Sequence, residues 1–161
     1  MWHQRLETNK GIQVLSDIIK YLPDFNFHIA GNWSEKYVSN DVKNLVNGSI
    51  LSPHIDNVFY YGKLDDMSNL FKICSLSLST SYDESCGLSV AESIANGRPT
   101  VSHSAGIGHL ADFTVNDKSH PSEWAKTIRI CEEMSKEAKN KNYVRENCSV
   151  KKFKEQWDAI L

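Results

Sequence analysis

Residues 79–100 read STSYDESCGLSVAESIANGRPT. The run opens as the tail of a strand, because Leu76 and Leu78 alternate with serines in SLSLST, the two-residue period of an extended chain. It then crosses small polar and acidic residues, reaches Gly87, and changes period. Leu88, Ala91, Ile94 and Ala95 recur at helical spacing, Gly97 supplies a C-cap, and 99–102 (PTVS) reads as the next strand. A strand, a loop, a helix and another strand in so few residues predict one crossover unit of a parallel sheet.

The rest of the chain repeats that alternation. Residues 25–30 (FNFHIA) and 58–61 (VFYY) read as strands, ending at Gly31-Asn32 and Gly62. Ile12, Leu15, Ile18, Ile19 and Leu22 share one helical face, which Pro23 terminates. Residues 35–46 form a weaker, more polar helical pattern, and Met67, Leu70 and Phe71 a short one. Trp124, Ile128 and Cys131 make a further stripe, and Val150, Phe153, Trp157 and Ile160 the last. Such alternation predicts an α/β fold, a Rossmann-like parallel sheet with helices on both faces, over a single domain at 1–161. The strand before Lys10-Gly11 has only residues 1–5 to occupy, an abrupt start that suggests a fragment of a longer chain.

Bulk composition excludes several classes. At 161 residues the chain can bury a core without metal or disulfide staples, and 40% hydrophobic with 24% charged residues is ordinary for a globular protein. A net charge of -2 and the lack of a long basic run argue against nucleic acid as a partner. No apolar run approaches a membrane span and no basic-then-apolar leader opens the chain. Cys74, Cys86, Cys131 and Cys148 form no C-x-x-C pair, and the six histidines have no zinc-ligand spacing. Reduced thiols in patterned segments point to a reducing, cytoplasmic setting.

Chemistry concentrates in the loop and helix start. Gly87 lets a ligand approach the backbone, and the amides of Ser85, Cys86, Gly87 and Leu88, helped by the helix dipole, would face an anion. Glu92, about one turn into the helix, can accept two hydrogen bonds from a vicinal diol such as ribose. Glu84 can reach a hydroxyl of a sugar beyond the phosphates.

This segment resembles the E-x7-E region of the family-four retaining glycosyltransferases, which have the GT-B fold. The family pattern is roughly S-x-x-E-x-F-G-L-x-x-x-E-A-x-A-x-G-x-P-V, and Ser81, Glu84, Gly87, Leu88, Glu92, Ala95, Gly97 and Pro99 fall in register. Cys86 stands where the family has an aromatic residue and Ser93 where it has Ala. Arg5-Leu6 and Lys10-Gly11 resemble its G-R-L-x-x-x-K-G, with Gln4 in the glycine's place. Residues 27–31 (FHIAG), ending at Gly31, and 57–64 (NVFYYGKL) resemble two further family strands. Residues 105–107 (AGI) resemble its G-G-i, with His109 in place of an acidic residue.

The resemblance implies one half of a GT-B fold that binds a nucleotide diphosphate sugar, with no metal or other cofactor. Arg5 and Lys10 would grip the diphosphate and, with Glu84, form the catalytic set. Gly31, Leu64, Ser85, Cys86, Gly87, Leu88 and Glu92 would complete the donor site. Read alone, Arg5 and Lys10 are surface charges at a helix start; Leu64 either packs beside the base or is an ordinary core leucine. The acceptor, a glycan or lipid-linked molecule, would sit on an N-terminal domain missing from this chain, so the isolated domain would be inactive. With a lipid-linked acceptor the full-length enzyme would work at the membrane surface. A second reading is a nucleotide-binding or interaction module of the same fold without transfer. A third, an unrelated doubly wound protein such as a flavodoxin-like signalling domain, would need an acidic phosphorylation cluster or a flavin phosphate loop at the first strand end, where Arg5 and Lys10 stand.

Overall fold

The computed structural model describes residues 1–33, 57–116 and 120–149, together with 151, 152 and 155. Within them run six short strands: β1 (Trp2–His3), β2 (Phe27–Ala30), β3 (Val58–Tyr60), β4 (Ser77–Ser79), β5 (Thr100–Ser102) and β6 (Phe113–Thr114). β1, β2 and β3 pair in parallel, as do β4, β5 and β6. The two sets meet where the Met1 nitrogen donates to Leu76 O at 2.8 Å and Leu78 N donates back to Met1 O at 2.8 Å. The spatial order is therefore β3-β2-β1-β4-β5-β6. Strand order reverses between β1 and β4, the topological switch point at which open α/β sheets take their ligands.

Five helices follow the strands among the described residues: α1 (Ile12–Tyr21), α2 (Ser68–Ile73), α3 (Leu88–Ala95), α4 (Pro121–Met134) and α5 (Lys141–Asn147). One sheet face presents Trp2, Ile29, Leu78 and Val101 to a core closed by Ile12, Leu15, Ile18 and Ile19 of α1 and Trp124, Ile128 and Cys131 of α4. Each large aliphatic side chain hidden here contributes about 1.5–3 kcal/mol relative to exposure. Alternate residues point the other way. Met1 and Ala30 join Leu70 and Phe71 of α2 in a second cluster. Under α3 the sheet face is polar, with Ser77, Ser79, Thr100 and Ser102 all buried. Ser93 of α3, fully buried, hydrogen-bonds Ser77 Oγ at 2.7 Å. The serine that replaces the family's alanine has a partner waiting on β4.

The expected faces of α1 and α4 are the buried ones. On α3 the buried residues are Val90, Ser93 and Ile94, so of the expected stripe only Ile94 is buried; Ala91 and Ala95 are half-buried, and Leu88, at the first turn, is 69% exposed. α3 ends as its sequence dictates: Gly97 takes φ +76°, its N–H donates to Ile94 O at 2.9 Å, and Arg98 N donates to Ser93 O at 2.9 Å, a Schellman pair. The cap residue itself is Asn96 and Gly97 is the next position, one residue beyond the reading from sequence. The strands are shorter than their apolar runs suggest. Two elements have no counterpart in the sequence reading, β6 and α5. The polar helix expected over 35–46 lies outside the described residues. So does most of the last helix, of which Lys151, Lys152 and Glu155 are helical.

Gly31 and Gly11, which border the loop after β1, are fixed by close backbone approach. Gly31 has φ +148°, and a Cβ there would lie 1.7 Å from Gln4 O. Gly11 has φ +72°, and its Cβ would lie 2.2 Å from Thr80 O. Gly62, with φ +66°, has open space around it. Gly31→Ala is expected to cost about 3 kcal/mol or more, through overpacking plus strain, and Gly62→Ala about 1 kcal/mol, from strain alone. Urea denaturation of both variants checks the ranking.

Candidate donor site

The carboxyl ends of β1 and β4 lie side by side, and the loops leaving them are stitched together. Trp2 Nε1 donates to Thr80 Oγ1 at 3.0 Å, and that hydroxyl in turn faces the carbonyls of Lys10 at 2.9 Å and Gly11 at 3.0 Å. Gln4 Nε2 donates to Ser79 Oγ at 2.7 Å, Ser81 Oγ to Asn9 O at 3.2 Å, and Tyr82 OH to Thr8 O at 3.3 Å. Gln4 thus spends its amide on β4, a contact the family's glycine could not make. The loop after β1 closes as a 3-10 turn over Thr8–Lys10, and Gly11, in the left-handed region, starts α1.

That stitching carries Lys10 to the acidic loop. Lys10 Nζ lies 2.7 Å from Glu84 Oε1, with the two side chains only 13% and 15% exposed. So secluded a pair loses much hydration, and each partner depends on the other. Arg5 does not join them. Its side chain is 70% exposed and its guanidinium lies 3.0 Å from Glu7 Oε1. Gly87 caps α3 with φ +86°, and the first helical bonds run from Val90 and Ala91 to its carbonyl. The amides ahead of Val90 belong to the unpaired first turn of a helix, which favours an anion.

Ser85, Cys86 and Leu88 are exposed around that helix start, and Gly87 is buried beneath them. Cys86 O accepts from Ile107 N at 2.8 Å, and a Cβ on Gly106 would come within 2.5 Å of Cys86 O, so the AGI segment buttresses the loop from behind. His109, where the family has an acid, turns Nδ1 to Gly106 O at 3.0 Å. Glu92 is exposed on α3, and its Oε2 lies 3.4 Å from Nε2 of the buried His3. Leu64 is half-buried and packs against the cluster that includes Met1, Leu70 and Phe71.

Sequence reading passed over Thr80 and His3. Thr80 bonds a loop about 70 residues away, which no local pattern reveals. His3 sits in a two-residue strand, too short to show a face.

A separate cavity of about 470 Å3 is lined by Met1, Phe27, Cys74, Leu76, Arg129 and others. It opens at the amino ends of the strands, the wrong end for a ligand in this architecture. All four cysteines are free; Cys74 and Cys131 are buried, Cys86 and Cys148 exposed. Burial pushes the Cys131 thiol up to about 12, with Asp112 adding to the effect. Burial lowers the pKa of His28, which stacks between Phe59 and Tyr61 on the sheet. Among the described residues no group of His, Cys, Asp or Glu is arranged to hold a metal ion, and no helix is long and apolar enough to cross a membrane.

A parallel sheet with its switch point at a glycine-capped helix is the architecture of the GT-B glycosyltransferases. The chain belongs to the family "Glycosyl transferases group 1", whose model matches residues 3–147. Comparison with curated protein sequences finds no match. Among solved structures it is similar to Anabaena HepE in complex with UDP and glucose (21% identity, TM-score 0.79, 99% of this chain and 47% of that one). It is also similar to the pneumococcal O-GlcNAc transferase GtfA in complex with UDP and GlcNAc (18%, 0.73, 99% and 34%). Sucrose-phosphate synthase of Thermosynechococcus elongatus is a further neighbour (17%, 0.72, 90% and 40%). The chain spans less than half the length of each.

Thr80→Val keeps the shape of the stitch and removes its hydroxyl, stranding the Trp2 N–H. It is expected to cost about 1–3 kcal/mol, whereas Thr80→Ser should cost less. Thermal or urea denaturation of the pair reads the difference.

Proposed function

We propose that the chain is the donor half of a retaining glycosyltransferase and holds a nucleotide diphosphate sugar across the carboxyl ends of β1 and β4. The single observation that carries this reading is the Lys10–Glu84 pair, set beside the amino end of α3. A diphosphate at that helix end takes the ammonium of Lys10 as counter-ion. It also draws the exposed guanidinium of Arg5 away from Glu7. Two cations and the helix start then offset the charge that grows on the departing nucleotide, without a metal. Glu84 accepts from a hydroxyl of the sugar and so positions it. Glu92 accepts from the ribose diol. Ser85, Cys86, Gly87 and Leu88 line the phosphate side; Gly31 and Leu64 border the base.

Uracil is the base we favour, because the neighbours HepE and GtfA are complexes with UDP. The acceptor, a glycan or lipid-linked molecule, is bound by polypeptide outside these 161 residues, which form one donor domain and turn nothing over alone. The free cysteines fit a cytoplasmic protein. A second reading, a nucleotide-binding module without transfer, is favoured by the outward Arg5, engaged by Glu7.

Calorimetry with UDP, GDP and ADP, alone and as their sugars, tests the donor site. Lys10→Ala should weaken diphosphates by about 1.5–3 kcal/mol and nucleosides hardly at all. Glu84→Gln, which releases Lys10, should hold UDP at least as tightly as the parent and lose the preference for the UDP-sugar. No binding of any nucleotide would refute the reading, and sustained transfer by the chain alone would refute the half-enzyme part.

The exposed Cys86 offers an independent check. A thiol reagent should label Cys86 and Cys148 in the native protein, and Cys74 and Cys131 only after unfolding. A saturating nucleotide should slow labelling of Cys86 and leave Cys148 unchanged, as read by mass spectrometry of the peptides.

A further inference from the structure

His3 lies at the carboxyl end of β1, 8% exposed, with its backbone fixed by pairing to Ala30. Its ring stands edge-on to Phe71, centroids 5.4 Å apart at 85°, so its orientation is set as well. Among the described residues neither ring nitrogen has a hydrogen-bond partner. Buried polar atoms are seldom left so, and the ion-pairing group beside this ring is the carboxylate of Glu92, 3.4 Å from Nε2. A small turn of the exposed Glu92 side chain toward Nε2, bringing the contact into line and closing it by a few tenths of an ångström, would make it a hydrogen bond.

Glu92 itself is 58% exposed on α3. An exposed glutamate samples many rotamers and loses that freedom when it takes a ligand. We propose that His3 is a positioning residue for Glu92: its Nε2–H holds one carboxylate oxygen from below, which presents the other to the ribose diol. The proposal rests on the ribose role of Glu92 given above. It assigns specificity for ribose over deoxyribose to a pair rather than to the glutamate alone.

The test uses the 161-residue chain, with thermal denaturation to confirm folding of each variant. UDP, GDP and ADP are titrated beside their 2′-deoxy counterparts. The parent should prefer the ribose form of the nucleotide it binds by about tenfold, the worth of one hydrogen bond to a charged group. Glu92→Gln should reduce that preference to about twofold or less. His3→Phe, which keeps the ring against Phe71, should reduce it equally while binding the deoxy form within about twofold of the parent. His3→Gln, with a donor of similar reach, should restore part of the preference. The double variant should lose no more than either single one.

His3→Phe with the parental preference, where Glu92→Gln has lost it, overturns the role of His3 and leaves the ribose reading standing. Equal weakening of both ligand forms by His3→Phe makes the residue structural only and likewise overturns it. A parent without preference, or Glu92→Gln with it intact, overturns the ribose reading itself. Should His3→Phe not fold, the ring 15N shifts of His3 in the parent decide: Nε2 must move to the hydrogen-bonded range when the nucleotide binds, and an unchanged shift refutes the proposal.

Discussion

The candidate site depends on how β1 is seated against β4. Met1 exchanges backbone hydrogen bonds with Leu76 and Leu78, and just beyond it Thr80 receives the Trp2 indole and reaches the carbonyls of Lys10 and Gly11. The seam joins residues about 75 apart in sequence with no side chain longer than an indole. It leaves so little room that Gly11 can carry no Cβ against Thr80. Without that tight seam Lys10 and Glu84 would be two surface charges on separate loops. With it they become a secluded pair at a helix start.

The fold was legible because its helices are long enough to show a face. The stripe of Ile12, Leu15, Ile18 and Ile19 runs over about two turns, enough to declare itself, and all four residues are buried. Trp124, Ile128 and Cys131 did the same for α4. β6 and α5 went unread because two residues of strand have no period, and α5 buries only Val144. The candidate site was legible in part. Glu84, Gly87 and Glu92 belong to one contiguous strand-loop-helix unit, so spacing orders them along it. Arg5 was read as a partner of Lys10, yet its side chain lies with Glu7. Rotamer choice at an exposed arginine leaves no mark on sequence spacing. Thr80 and His3 act across strands, where only the three-dimensional order brings residues together.

The polar underside of α3 shows how a departure from a family pattern, Ser93, can find a partner on the sheet. Ser77, Ser93, Thr100 and Ser102 fill a layer that would otherwise be aliphatic. Ser93 bonds both Ser77 Oγ and, within its own helix, Ser89 O at 2.8 Å. Satisfied in this way, hydroxyls can be buried at little net cost. They also fix the rotation of α3 on the sheet more narrowly than methyl groups would, because a hydrogen bond is lost over a smaller displacement than a dispersion contact. The place of the Glu92 backbone over the sheet, one residue before Ser93, follows from that setting.

The seclusion of Lys10 with Glu84 has a consequence for what can occupy the place. Each charge is already neutralised by the other, so the pair offers little net attraction to a bare anion. A phosphate that captured the ammonium and gave nothing back would leave a carboxylate stranded with most of its water removed, a heavy penalty. A ligand that brings the anion and a hydroxyl together satisfies both members at once. In the donor role proposed for this pair, discrimination follows from the pairing itself: the two halves of an incoming molecule are weighed jointly, and a fragment that supplies only one of them must break a contact it cannot replace.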